Sequence, residues 1–366
     1  MRIVLSGGGT AGHINPALAL AEVLQERGHE VFYAGTPKGV EAKLVAKAGI
    51  PFKAFEAQGF DRSRPASLPK ALAIIVKSTK LAKAWFAEVK PDVVVAFGGY
   101  VCIPVGRAAE QLGIPVVVHE QNSIMGMANK YLGKKAASVA LTYEVAGAPI
   151  ANKEKLVVTG NPVRSSVFNS TRAEGRELLC IPEDALMLLV FGGSLGARHI
   201  NTAVAHMKER LLSVDNLYVV HITGPKELET VQEQLGLTPE EARRYQVMGY
   251  QDKMGETMAA TDLVVSRAGA TSLAEISARK IPALLVPFPF ATADHQTTNA
   301  REYVERGAAA MMADEEVESK EFADLLMDLL NDPSKRAVMS EAAATFKTGD
   351  AAGLLADVVV AAAEHK

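Results

Sequence analysis

The sequence predicts an α/β protein built from two Rossmann-like domains, and three observations carry this expectation. Short β-branched runs alternate with amphipathic helical stretches from one end to the other, the pattern of parallel sheets assembled from βαβ units. A glycine-rich turn between a strand and a helix occurs near the start and again at Gly192, so the architecture begins twice. The chain of 366 residues is also longer than one typical domain of about 150.

In the first half, strands are expected at 3–6, 30–33, 52–55, 92–96, 116–119, 138–141 and 156–159. The first strand meets Gly7-Gly8-Gly9-Thr10-Ala11-Gly12-His13 and then a helix over 17–27. The fourth meets Phe97-Gly98-Gly99-Tyr100, and Pro104 marks the early part of the next helix. Pro162 disfavours helix in the residue before it, which puts the domain boundary at Asn161-Pro162-Val163-Arg164 and the domains at 1–162 and 163–345. The second half starts again with strands at 186–191, 218–222, 246–248, 263–266, 283–286 and 309–311. There the turn reads Gly192-Gly193-Ser194-Leu195-Gly196-Ala197-Arg198 and leads into a helix over 201–210. Residues 346–366 end in a helix that can pack back on either domain, the N-terminal one being the expected partner.

Composition narrows the class. Apolar residues make up 48% and charged residues 22%, the mixture of a globular protein. Mean hydropathy is +0.09, yet no apolar run approaches the ~20 residues of a membrane helix. Met1-Arg2-Ile3-Val4-Leu5 runs into glycines too soon for a signal peptide, so the chain is expected to stay in the cytoplasm. Cys102 and Cys180, with no neighbouring ligand cluster, read as core thiols rather than as a disulfide or a zinc site. A formal charge of −3 argues against nucleic acid as a partner.

Gly-rich strand-to-helix turns let backbone approach a ligand and aim free N–H groups at an anion. Gly7, Gly9 and Gly12 fit G-x-G-x-x-G, but a dinucleotide site wants an acid after the second strand, where the chain reads Tyr33-Ala34-Gly35-Thr36. Tight helix–strand packing without a ligand is the other reading of these glycines. There is no D-x-D to chelate a metal–diphosphate, so a bound diphosphate would be balanced by backbone N–H groups, a helix dipole and a cationic side chain. Ser194 with the helix start behind it, and Arg164 at the joint, are the candidates; a boundary salt bridge is the other reading of Arg164.

Taken together, Gly7 to His13, Gly98-Gly99-Tyr100, His119-Glu120-Gln121-Asn122, Asn161 to Arg164, Gly192 to Ala197 and Ser266-Arg267-Ala268-Gly269-Ala270 resemble glycosyltransferase family 28. The likeness runs in order from residue 1 to about 345 and implies a GT-B fold, two Rossmann-like domains with parallel sheets facing across a cleft. It implies an inverting reaction in which N-acetylglucosamine moves from UDP-N-acetylglucosamine to the 4-hydroxyl of lipid I, giving lipid II for peptidoglycan and serving cell shape and division. It implies no cofactor and no metal. His13 resembles the catalytic base, and an imidazole titrating near neutrality suits that task; donation to backbone or to phosphate is its other reading.

The same resemblance places acceptor contacts at Gly12, His13, Tyr100, Glu120 and Asn122. Donor contacts are implied at Thr10, Ala11, Gly12, Asn122 and Arg164, then at Ser194 in the second glycine turn. Gln251, after Tyr250, would offer its backbone to the uracil edge. The loop from Arg267 through Ala270 and Thr271 would close over the nucleotide, Glu275 would accept from the ribose, and Gln296 would read the sugar. His295 stands where some relatives carry a second Gln.

The segment 68–87 reads as a helix with two apolar stripes, Leu72, Ile75, Ala82 and Phe86 on one and Ile74, Leu81 and Trp85 on the other. The second stripe is bordered by Lys70 and Lys77, with Arg62, Arg64, Lys80 and Lys83 close in sequence, which suits an anionic leaflet at the cytoplasmic face of the cell membrane. Packing on a neighbouring helix is the alternative. Two rival functions share the fold: a UDP-N-acetylglucosamine 2-epimerase, and a non-catalytic nucleotide-sugar-binding subunit that recruits a partner.

Overall fold

The computed structural model describes residues 1–59, 68–193, 196–346 and 349–365. They fall into two compact units, Met1–Arg164 with Thr348–Lys366, and Ser165–Lys347. In the first, β1 (Arg2–Ser6), β2 (Glu30–Gly35), β3 (Phe52–Ala54), β4 (Val93–Ala96), β5 (Val116–Glu120), β6 (Ser138–Leu141) and β7 (Leu156–Val158) form one parallel sheet in the order β3-β2-β1-β4-β5-β6-β7. In the second, β8 (Leu186–Phe191), β9 (Leu217–Ile222), β10 (Tyr245–Met248), β11 (Leu263–Ser266), β12 (Ala283–Leu285) and β13 (Ala309–Met311) form another, ordered β10-β9-β8-β11-β12-β13. Every strand expected from the sequence forms, its ends shifted by at most two residues. These strands were legible because parallel strands are covered on both faces and read as unbroken apolar runs, as Val93, Val94, Val95 and Ala96 do at 0% exposure.

Strand order fixes where a ligand can go. In the first sheet the chain reverses direction across β1 and β4, which pair in parallel from Ile3 with Val93 to Ser6 with Ala96. In the second it reverses across β8 and β11, paired from Leu188 with Leu263 to Phe191 with Ser266. A crevice opens beyond the strand carboxyl ends at such a reversal, because the two flanking connections leave to opposite faces. The loops after β1 and β4, and those after β8 and β11, are the ones singled out by sequence.

Helix α1 (Ala11–Glu26) buries Ile14, Leu18 and Leu20 on the first sheet, and the last helix (Ala351–Glu364) adds Leu355, Ala356 and Val359 to the same core. Arg27, at the C-terminal cap of α1, donates to Asp357 at 2.7 Å and ties the end of α1 to the middle of the last helix. Helix α2 (Leu68–Val89) packs on α3 (Cys102–Gln111). Among the described residues no helix is long and apolar enough to cross a membrane.

Two expectations are corrected here. Trp85 is buried at 8% exposure, its ring 5.6 Å from that of Phe55 and 5.5 Å from that of Phe86, so it belongs to the core and not to an exposed face. The small side chains of Ala71, Ser78 and Ala82 are buried with it, and this is the face that packs inward. Leu72, assigned to the buried stripe, is 50% exposed. At about 100° per residue Leu72 and Val76 lie on one border of the buried face and Leu81 on the other, with the exposed Lys70, Lys77 and Lys80 between them. Ile74 is half-buried, and Arg62 and Arg64 lie outside the described residues. The second correction concerns Cys180, which is exposed at the left-handed end of a helix, φ 54°, while Cys102 is buried as expected.

Truncating Trp85 to Ala should therefore lower the unfolding free energy by about 3–5 kcal/mol, as large aromatic-to-alanine changes in cores do. Leu72→Ser should stay within about 0.5 kcal/mol of wild type. Urea denaturation of both variants checks the pair; equal losses would mean that the helix is rotated from the orientation described.

Candidate functional site

At the first switch point two glycine loops touch backbone to backbone. Gly8 N–H donates to Gly98 O at 3.3 Å, and a Cβ on Gly99 would stand 2.5 Å from Gly8 O. Gly98 and Gly99 have φ of +112° and +87°, values that other residues rarely reach, so glycine is required on both counts. His13, in the first turn of α1, sits on this crossing. Its Nδ1 is 2.9 Å from Gly8 O, which can only accept, so Nδ1 carries a proton and, in the neutral ring, Nε2 is the nitrogen with the lone pair. Nε2 faces Gly98, whose added Cβ would lie 2.9 Å away. Thr10 is the exposed N-cap of α1 without a side-chain capping bond, and there is no acidic residue in the helix's first turn, where Ala11 and Gly12 precede His13. Tyr100 is half-exposed beside Gly59.

Strand β5 ends in two fully buried polar residues. Its next-to-last residue, His119, donates from Nε2 to Gly160 O at 3.0 Å and accepts at Nδ1 from Gln121 Nε2 at 3.0 Å. Burial pushes its pKa down from the usual 6.5 to about 4, so it is neutral at physiological pH and acts as a brace between the loop and the end of the unit. Glu120 accepts from Asn122 N–H (3.1 Å), Asn122 Nδ2 (3.3 Å), Gly126 N–H (2.9 Å) and Asn129 Nδ2 (2.9 Å). Four donors fill the lone-pair directions of a carboxylate. Asn129, on α4 (Met127–Gly133), was not singled out by sequence; its only signal is the i+9 spacing from Glu120, which no motif marks.

In the second unit, Gly196 has φ +80° and a Cβ there would lie 2.0 Å from Thr223 O, so the second glycine turn packs on the end of β9. Asn201, on α5 (Arg198–His206), donates to Thr223 O at 2.9 Å and accepts from His221 Nε2 at 3.0 Å; the other nitrogen of His221 is 3.1 Å from Tyr245 Oη. Desolvation lowers the His221 pKa to about 3, again a neutral brace. The first turn of α5 carries Arg198 and His199, although cations are disfavoured at the positive end of a helix. Arg198 is held bidentately by Glu227, at 3.0–3.3 Å, and His199 by Asp314. Ser194 lies outside the described residues.

After β11, Arg267 donates to Val286 O (3.2 Å) and Pro287 O (3.1 Å) and stands over the Phe288 ring at 5.5 Å. Gln296, on α7, follows a different logic and needs α6 (Ala270–Ala278) and α7 (His295–Glu305) together. Its Oε1 accepts from Ala268 N–H (3.2 Å), just before α6, and from Phe288 N–H (3.0 Å), while Asn299 donates to Ala268 O at 3.2 Å. One side chain thus clips the loop before α6 to the loop before α7. The N-cap of α6, Gly269, faces open space, no acid occupies the first turn, and Ala270 and Thr271 are buried behind it. Glu275 is half-buried further along the helix. Gln251 turns its side chain into its own loop, accepting from Lys253 N–H at 3.0 Å, beside the exposed Tyr250. Arg164 pairs with Glu22 of α1 at 3.1 Å, the boundary ion pair weighed for it from sequence.

The chain matches the glycosyltransferase family 28 N-terminal domain over residues 3–141 and the glycosyltransferase family 28 C-terminal domain over residues 187–355. It is 38% identical over 361 residues, 98% of this chain and 99% of that protein, to the UDP-N-acetylglucosamine–N-acetylmuramyl-(pentapeptide) pyrophosphoryl-undecaprenol N-acetylglucosamine transferase of Bacillus subtilis. A protein of the same name from Leuconostoc mesenteroides is 40% identical over 353 residues, 96% of each chain. Among solved structures, MurG of Acinetobacter baumannii superposes with a TM-score of 0.71 at 28% identity, covering 98% of this chain and 99% of that one. The calicheamicin glycosyltransferase CalG4, at 16% identity and a TM-score of 0.69 over 99% and 98%, shares the fold.

The two buried histidines make a signed prediction. Below about pH 6.5 the unfolded chain protonates them, whereas the folded chain resists until about pH 4 at His119 and about pH 3 at His221. Their contribution to stability is therefore complete above pH 6.5 and is lost as pH falls toward those folded values, at roughly 1.4 kcal/mol per pH unit for each. Urea midpoints should drop between pH 7.5 and 5.0, and His221→Gln should flatten the slope for the C-terminal unit; a flat wild-type profile contradicts the burial of both rings.

Proposed function

The chain belongs to glycosyltransferase family 28, and we propose that it transfers N-acetylglucosamine from UDP-N-acetylglucosamine to the 4-hydroxyl of lipid I, forming lipid II for peptidoglycan. The observation that carries this reading is the near-full-length likeness to relatives that share one enzyme name. The geometry at His13 gives it a chemistry: an imidazole whose Nδ1–H is fixed on Gly8 O has its Nε2 lone pair available to take a proton.

In this reading the acceptor hydroxyl lies against Nε2, gives up its proton there and attacks the anomeric carbon as UDP departs on the opposite side. Tyr100 and the loop carrying Asn122 frame the muramyl sugar, and Glu120 acts through that loop, because its carboxylate is filled by its own neighbours. Thr10, Ala11 and Gly12 supply helix-end N–H groups next to the reacting atoms. The donor belongs to the second unit: the N-terminus of α6 at Ala270 and Thr271 and the cationic start of α5 receive the negative charge that grows on the diphosphate. Glu275 takes the ribose hydroxyls, the Gln251 backbone the uracil, and Gln296 the sugar. Arg164 joins the diphosphate only by leaving Glu22.

The enzyme works at the cytoplasmic face of the cell membrane, held peripherally by α2 through Leu72, Val76 and Leu81 among Lys70, Lys77 and Lys80; Trp85 anchors the helix from inside.

Transfer of labelled sugar to a short-chain lipid I analogue should yield labelled lipid, and His13→Ala should cut kcat by about 10²–10⁴-fold while leaving UDP affinity nearly unchanged. Donor epimerisation without lipid product would favour the epimerase, and UDP binding with no turnover the recruiting subunit. Vesicles containing anionic phospholipid should retain the wild type and release the Leu72→Ser, Val76→Ser, Leu81→Ser variant, which should still process a soluble acceptor. Undiminished vesicle binding by that variant would rule out α2 as the membrane face.

A further inference from the structure

One acid ties together segments that follow four different strands of the second sheet. Asp314 comes three residues after the end of β13, and its side chain is only 7% exposed. Oδ2 accepts from His199 Nδ1 at 2.7 Å, in the first turn of α5 beyond β8. Oδ1 lies 2.5 Å from Arg267 Nη1, just beyond β11, and the same guanidinium donates to the carbonyls of Val286 and Pro287, just beyond β12. Oδ1 makes no aligned hydrogen bond, so its hold on Arg267 is electrostatic.

This arrangement is expensive as mere fold support. A buried carboxylate loses hydration that only well-placed cations restore, and an apolar residue would brace the same elements without that loss. One of its partners also stands against local preference, since His199 lies in the first turn of α5, where a positive side chain opposes the helix dipole. What the arrangement does secure is the position of positive charge at the strand ends flanking the β8/β11 reversal, where the diphosphate is assigned. Side-chain exposure separates the two partners: Arg267 is 11% exposed, whereas His199 is 56% exposed.

We propose that Asp314 is a positioning residue for the donor site, setting Arg267 and His199 so that the α5 start and the loop before α6 present one fixed positive face to the nucleotide diphosphate. The proposal rests on the donor assignment made above. With Nδ1–H given to Asp314, His199 directs Nε2 away from it, where a proton on that nitrogen would donate to a phosphate oxygen. Arg267 acts one step back: by fixing Val286 and Pro287 it sets Phe288, whose N–H holds Gln296.

The test uses the full chain, with UDP binding measured by calorimetry and transfer measured at varied UDP-N-acetylglucosamine. Asp314→Asn keeps size and removes charge. The expected result is a rise of roughly tenfold or more in both the UDP dissociation constant and the donor KM, kcat at saturating donor changing several times less, and partial recovery in Asp314→Glu. His199→Gln leaves the Arg267 contact in place and should raise the donor KM by a few-fold, which keeps the idea testable if Asp314→Asn does not fold. A folded Asp314→Asn protein that binds UDP like the wild type overturns the proposal, as does a His199→Gln enzyme with unchanged donor KM. A wild-type chain that binds no UDP would instead overturn the donor assignment itself.

Discussion

The close approach of two glycine loops is the constraint on which the first unit's chemistry depends. With Gly99 against Gly8 O and Gly8 N–H bonded to Gly98 O, the carbonyl of Gly8 is held where His13 Nδ1 can donate to it. A side chain at residue 99 would overlap that carbonyl, and the φ values of 98 and 99 exclude one independently. The tautomer of the proposed base is therefore set by main chain, which cannot titrate or rotate away. A side-chain partner such as a carboxylate would have raised the basicity of the ring and added a charge that can itself titrate.

Next to both switch points the strand ends carry buried polar groups that brace the fold. His119 and His221 are neutral, doubly engaged and fully enclosed, each joining a strand end to a distant backbone or side chain. In a low-dielectric interior such doubly hydrogen-bonded rings admit few alternative arrangements, because breaking one bond leaves a buried group unpaired. They fix the loops above them more firmly than apolar packing would, and loops that must present N–H groups to a ligand need that.

Much of this was legible in the sequence, for definite reasons. Strands between helix layers announce themselves as apolar runs, and glycine-rich turns mark strand ends, so the strands and the glycine loops at both reversals followed from residue type, whereas the order of the strands in each sheet did not. What escaped was whatever depends on the neighbour across space. Trp85 and Leu72 lie on a helix with two apolar stripes, and the buried face takes Ala82 and Phe86 from one and Trp85 from the other, centred on the small residues Ala71, Ser78 and Ala82 and on the contact with Phe55. Glu120 carries a family motif, but its donors at 126 and 129 are brought to it by the turn into α4. Asp314 opens the run Asp-Glu-Glu, which reads as solvated, and only the return of β13 to the sheet brings it under Arg267.

In the proposed reaction the two units would divide the electrostatic work of a glycosyl transfer in opposite ways. Deprotonating a hydroxyl calls for an uncharged imidazole, and the first unit sets His13 against the Gly8 carbonyl and the backbone of Gly98. Releasing a nucleoside diphosphate calls for fixed positive potential, and the second unit collects Arg198, His199 and Arg267 near helix starts that ordinarily repel them, restraining each with an acid. Mixing the two sets would defeat both, since cations beside His13 would favour the deprotonated acceptor but hold the ring neutral too strongly to accept its proton. Keeping base and counter-charge in separate sheets lets each be tuned by its own strand ends, which is a physical reason for building this chemistry on a fold that begins twice.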